Sequence, residues 1–147
     1  MRFKFRLIRL LELRDAEVDR CEKALGVAIQ ATQAATMDMH RNQREQRELD
    51  RAWAEAMKTS ITGATLMDFN NERLKLFADS QMLNDALLKC RQQEDVCKKE
   101  LERAMAKQKS LQKLEARARL KHEASERLHE QNQLDEFCVT STARKSE

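Results

Sequence analysis

The stretch "KTSITGATLMDFNNER", residues 58 to 73, is the one sustained interruption in a chain that otherwise avoids helix breakers. Thr59, Ser60, Thr62, Gly63 and Thr65 come in close succession, and hydroxyl-bearing, β-branched and glycine residues are poor in a helix interior. Asp68 follows as the expected N-cap, its carboxylate able to accept from the open amides of a new helix. A domain linker, a catalytic loop or a simple chain reversal would each fit such a break, so the flanks decide.

Upstream, alternating steps of four and three pick out Leu7, Leu11, Arg14, Val18, Cys21, Leu25, Ala28, Thr32, Ala35, Met39, Asn42, Gln46, Leu49, Trp53 and Ala56. Eleven of these fifteen are apolar, and the positions between them are mostly charged or polar. That is the heptad seam of a coiled coil, which one helix cannot bury alone. Downstream, the same test gives Phe69, Arg73, Leu76, Ser80, Leu83, Leu87, Cys90, Glu94, Cys97, Leu101, Ala104, Gln108 and Leu111. Beyond Leu111 the apolar residues run through Leu114, Ala118, Leu120, Ala124, Leu128 and Leu134, the pattern of a stutter. The expected fold is all-α, a long antiparallel two-helix coiled-coil hairpin forming a single domain over residues 1–147. Its first arm covers about 3–58, its connection about 59–68, its second arm about 69–137 and a flexible tail about 138–147. The second arm is the longer and must overhang the first. Asn42, Glu94 and Gln108 fall on the seam, where polar residues fix register at a cost in stability.

Composition agrees. Of 147 residues 36% are charged and 4% aromatic, with no proline and two glycines, as long helices require. The 28 basic and 25 acidic residues are interspersed, with acid-first pairs four apart at Asp19/Lys23, Glu115/Arg119 and Glu123/Arg127. No basic stripe with interleaved aromatics marks the sequence for nucleic acid. The start, "MRFKFRLIRLLELR", is basic and partly apolar, but Arg9, Glu12 and Arg14 break any secretory run. An amphipathic helix lying on a membrane surface is the competing reading of this segment.

Catalytic patterns are missing. The sequence has no Gly-rich phosphate loop, no G-x-S-x-G and no H-E-x-x-H. Cys21, Cys90, Cys97 and Cys138 form no C-x-x-C pair, and neither they nor His40, His122 and His129 have metal-site spacing. No enzyme, cofactor or metal site is expected. The aromatics instead gather at two places in a hairpin, with Trp53, Phe69 and Phe77 near the turn and Phe3, Phe5 and Phe137 toward the other end. Exposed aromatics on a helix pair are natural anchors for another protein.

Residues 3 to 25, "FKFRLIRLLELRDAEVDRCEKAL", resemble the N-terminal signature of the flagellar export protein FliJ family, F-x-F-R-L-x-x-L-L-x-L-R followed by an acid-rich helical stretch. Phe3, Phe5, Arg6, Leu7, Leu10, Leu11, Leu13 and Arg14 stand at the matching places, and "LDEF" at 134 to 137 before a basic tail resembles the family's C-terminus. The resemblance implies a non-enzymatic cytoplasmic component of the flagellar type III export apparatus. It would be a stalk-like protein bridging the export ATPase ring and the cytoplasmic domain of the export gate, assisting export chaperones, and peripheral to the inner membrane. On this reading Arg6, Arg9, Arg14, Asp135 and Glu136 contact the ATPase, Arg9 being added on its charge. Phe69, Leu76 and Leu83 contact the export gate, although Glu72 and Asp79 make that surface more acidic than the family pattern implies. The equivalent stalk protein of injectisomes and a membrane-surface adaptor are the alternatives.

Overall fold

The computed structural model describes residues 1–146; Glu147, the last residue of the expected tail, lies outside them. Two helices account for nearly all of it, α1 over Ile8–Ala56 and α2 over Gly63–Lys145, and no strand occurs among the described residues. The fold is the all-α helical hairpin that the two periodic arms predict. It divides into two compact units, one joining Met1–Asp19 to the stretch from Glu102 onward, the other comprising Arg20–Leu101.

The Arg20–Leu101 unit contains the turn. Ala28, Leu76 and Cys97 are buried between its two helical segments, and Thr32, Met39, Leu49, Trp53, Leu83 and Leu87 are half-buried beside them. Each belongs to the four-three series, because only one stripe of each helix can face the other. Arg73 is the exception. Too large and charged for the seam, it stays exposed and reaches across to Asp50 at 2.9 Å.

The chain reversal differs from the expectation in its details. α1 closes with amide bonds from Met57 to the Trp53 carbonyl (2.9 Å) and from Thr59 to that of Ala56 (3.2 Å), where the Thr59 hydroxyl also donates. The cap of α2 is Thr62 rather than Asp68. Thr62 Oγ1 accepts from the Thr65 amide at 3.3 Å, and the Thr62 carbonyl takes the first helical bond from Leu66 at 3.1 Å. A threonine hydroxyl is short enough to fold back on the third amide after it, so the helix is capped six residues before Asp68. Gly63 sits at the first helical position, and no residue, glycine included, has positive φ among those described. The reversal therefore uses ordinary backbone conformations.

In the terminal unit Leu11, Val18, Ala104 and Leu111 are buried, and Gln108 Nε2 donates to Asp15 Oδ1 at 2.7 Å. The expected stutter after Leu111 does not occur. Glu115, Ala118, His122 and Glu126 continue the inner face, while Leu114, Leu120, Leu128 and Leu134 are 46–65% exposed. The reason is the partner. Residues 1–5 are not helical; they run along α2 with Phe3 and Phe5 half-buried and Arg2, Lys4 and Arg6 outward, a two-residue alternation that suits polar contacts. α2 continues through Lys145, past the point where the tail was expected to begin, and from Arg127 onward every described residue is exposed.

Gly26 lies mid-α1, and a Cβ built on it meets nothing within 4 Å. Gly26→Ala is expected to stabilise the chain by about 0.5–1 kcal/mol, by removing backbone freedom from the unfolded state. A thermal melt followed by circular dichroism checks this, and an unchanged or lower midpoint would show that the space is filled in solution.

Candidate functional site

Two surfaces stand out, one in each unit. At the turn, Trp53 from α1 meets Phe69 from α2 edge to face, with ring centroids 5.4 Å apart at 82°. Arg73 places its guanidinium 5.9 Å from the Trp53 ring centre while holding Asp50. The stack anchors the first turns of α2 to the last of α1, since aromatic pairs in this geometry add to the area they bury. Beside it runs an open groove of about 360 Å³ lined by Leu49, Trp53, Leu66, Met67, Phe69, Asn70 and Arg73. Leu66 is 46% and Phe77 60% exposed next to it, so the turn presents apolar and aromatic surface to solvent.

Farther along the same unit the seam turns polar. Asn42, 4% exposed, donates from Nδ2 to the Leu76 carbonyl at 3.2 Å and accepts from Gln46 Nε2 at 2.7 Å. Both ends of its amide are thus satisfied, as burial requires. Glu94 is held below the usual carboxylate range, first by its hydrogen bond from Lys98 and next by the nearby Thr32 hydroxyl. Lys98, 3.0 Å away, is correspondingly raised.

At the terminal unit, Phe3 lies under the Arg119 guanidinium, 5.4 Å from its centre, and meets the His122 ring at 5.5 Å and 64°. The Met1 amine bonds Glu126 Oε1 at 2.7 Å. That hydrogen bond is the main cause of the raised amine and the lowered Glu126 carboxyl. These contacts fix Met1 and Phe3 against Arg119, His122 and Glu126. Arg2 and Lys4 thereby line an open groove with Glu115 and Arg119, and Glu123 and Glu126 lie beside Met1 and Arg2. The linear sequence hides this pairing because its two sides are more than a hundred residues apart.

The sequence-predicted residues are distributed as follows. Arg6 and Arg9 are exposed, whereas Arg14 is half-buried and ion-paired with Glu17 at 2.8 Å. Asp135 and Glu136 are exposed on α2 beyond Glu126, so the acidic and basic members do not meet. At the turn Phe69 is half-buried on Trp53, Leu76 is buried at 7% exposure and Leu83 is half-buried. These three are seam residues, and the exposed neighbours are Leu66, Met67 and Phe77. Among the described residues no three metal-ligating side chains converge, and no helix is long and apolar enough to cross a membrane.

Comparison with known proteins bears on the whole chain. A family model described as "Flagellar FliJ protein" matches residues 3–147. Searches of curated proteins and of solved structures gave no match. The matched span takes in the Phe3 and Phe5 strap, both helices and the Thr62-capped reversal, so the likeness covers the hairpin from end to end. The chain belongs to the FliJ family, proteins of the flagellar export apparatus.

Proposed function

We propose that this chain is a non-enzymatic, stalk-like coupling protein that bridges the export ATPase ring and the cytoplasmic domain of the export gate and assists export chaperones. The observation that carries the proposal is the family match over residues 3–147. The geometry is in keeping with it, because the grooves along each helix pair are open and the chemistry on offer is contact rather than enclosure. Working at the export apparatus, the protein would be cytoplasmic and peripheral to the inner membrane.

The terminal unit is the proposed ATPase contact, through Arg6, Arg9 and Arg14 with Asp135 and Glu136. The turn is the proposed gate contact. There Leu76 and Leu83 support the surface from the seam, Phe69 anchors it, and Phe77, Leu66 and Met67 supply apolar area that a partner would bury.

Hydrolysis by the cognate export ATPase is expected to rise when the purified chain is added, with more of the ATPase assembled into rings. Arg6→Ala/Arg9→Ala is expected to lower both effects while leaving helicity unchanged. A fully helical sample that alters neither hydrolysis nor assembly would remove the coupling role.

A further inference from the structure

α2 carries a second periodic stripe besides the one that packs on α1. Met67, Asn70, Leu74, Phe77, Gln81 and Asn84 recur in steps of three and four, so they share one side of the helix. All six are exposed, Met67, Leu74 and Phe77 at 66%, 59% and 60%. None is charged, although 36% of the sequence is, and the charges between Met67 and Asn84, namely Asp68, Glu72, Arg73, Lys75 and Asp79, all fall at other positions. A merely solvated face has no need of such exclusion, whereas a face that packs on another helix does.

We propose that a second copy of this chain covers the stripe, the two α2 helices lying antiparallel about a two-fold axis. The stripe is complementary to its own reverse. With the axis between Leu74 and Phe77, each Leu74 opposes a Phe77, each Asn70 a Gln81 and each Met67 an Asn84 across the interface. An apolar centre is then flanked on both sides by amides, which can donate and accept to one another. The side chains at the edges of the stripe, Asn71 and Ala78 along one and Arg73 and Ser80 along the other, bring one charge, which Asp50 of the same chain already holds at 2.9 Å. No like charges of α2 therefore oppose each other, and no edge of one sign calls for an acidic or a basic partner. Antiparallel packing also keeps the two α2 N-termini, equal in partial charge, apart. A contact of this length buries on the order of 1,000 Å² in total, the lower limit for a specific interface, so the dimer forms and dissociates with concentration. Met67 and Phe77 belong also to the proposed gate contact, so self-pairing covers that surface and the gate domain competes for it. The dimer stands without the gate reading; only the competition rests on it.

Sedimentation equilibrium of the full chain, from about 1 μM to about 1 mM, tests the proposal. The weight-average mass is expected to climb from that of one chain toward that of two. Leu74→Glu puts a carboxylate at the apolar centre and should weaken the dimer by about tenfold or more. Leu114→Glu, at a 46% exposed position in the other unit, should leave it within about twofold. Asn70→Lys/Gln81→Lys sets lysine against lysine and should also weaken it by about tenfold or more. Asn70→Glu/Gln81→Lys should hold at least as tightly as the parent, because antiparallel copies place glutamate against lysine and parallel ones place like against like. A single-chain mass at every concentration overturns the proposal, and so does association that Leu74→Glu leaves intact, since it would lie elsewhere on the molecule. Dissociation of Asn70→Glu/Gln81→Lys to the level of the double-lysine variant rules out the antiparallel arrangement and the proposal with it. Should Leu74→Glu lose helicity, the two amide-position variants decide, as both change exposed polar residues only. No gate domain is present, so these outcomes are independent of any gate pull-down. A chain that stays single while Phe77→Ala weakens gate capture assigns the stripe to the gate alone and overturns the dimer.

Discussion

Leu76→Ala is expected to destabilise the protein by about 2–3 kcal/mol, the lower part of the range for a buried leucine, and to lower its melting midpoint by several degrees. Leu76 is 7% exposed, and its carbonyl receives the Asn42 amide, so its side chain is packed between α1 and α2. The loss stays below the maximum because two helices can close partly over the gap, whereas the walls of a globular core cannot. Phe77→Ala is the matched comparison. Phe77 is 60% exposed, and its truncation should shift stability by no more than about 0.5 kcal/mol. If the turn is the gate contact, Phe77→Ala is the variant that weakens capture of the gate domain in a pull-down with the fold intact. Leu76→Ala weakens capture only to the extent that the hairpin melts. A Leu76→Ala protein that melts like the parent would mean that Leu76 is not a seam residue in solution. Undiminished capture by Phe77→Ala would move the gate contact elsewhere.

The seam was legible in the sequence because burial in a helix pair obeys one period. From Leu11 to Ala56 every residue of the upstream series is buried or half-buried, including the polar Arg14, Thr32, Asn42 and Gln46. What the period cannot convey is the nature of the partner at its ends. After Leu111 the partner is a strap rather than a helix, and its Phe3 selects Arg119 and His122 rather than the nearby leucines. A count of apolar residues followed Leu114, Leu120 and Leu128 instead. The cap was missed for a related reason, since Asp68 and Thr62 are both good capping residues and only the backbone path distinguishes them. Of the candidate surfaces, the aromatic cluster at the turn was readable from Trp53 and Phe69. The seat of the N-terminal strap on Arg119, His122 and Glu126 was not, because it exists only once residues far apart in the sequence lie side by side. The roles of Arg6, Arg9 and Arg14 came from the family signature, as charge alone does not separate them from the other exposed arginines.

Asn42→Leu is expected to raise the melting midpoint and to cost the hairpin its single arrangement. Asn42 is 4% exposed, the one buried polar residue among those described. A leucine there would bury apolar area in place of an amide, a gain of about 1–2 kcal/mol after the lost hydrogen bonds are counted. Those losses are small. The Leu76 carbonyl lies within α2, where it also serves the helix ladder, and Gln46 is half-buried and can turn to water. Specificity moves the other way. The Asn42 amide meets the Leu76 carbonyl in the observed pairing, and an alternative pairing that buried it without an acceptor would cost about 1–3 kcal/mol. With leucine in its place the slipped and the intermolecular pairings lose that penalty, as when a polar seam residue is removed from other coiled coils. Sedimentation should then reveal dimers or larger species for Asn42→Leu at concentrations where the parent gives one boundary, and its melt should broaden as its midpoint rises. A variant that melts lower and still sediments as the parent does would reverse the assignment: Asn42 would be a net stabilising contact, and register would be set by the Trp53–Phe69 stack at the turn.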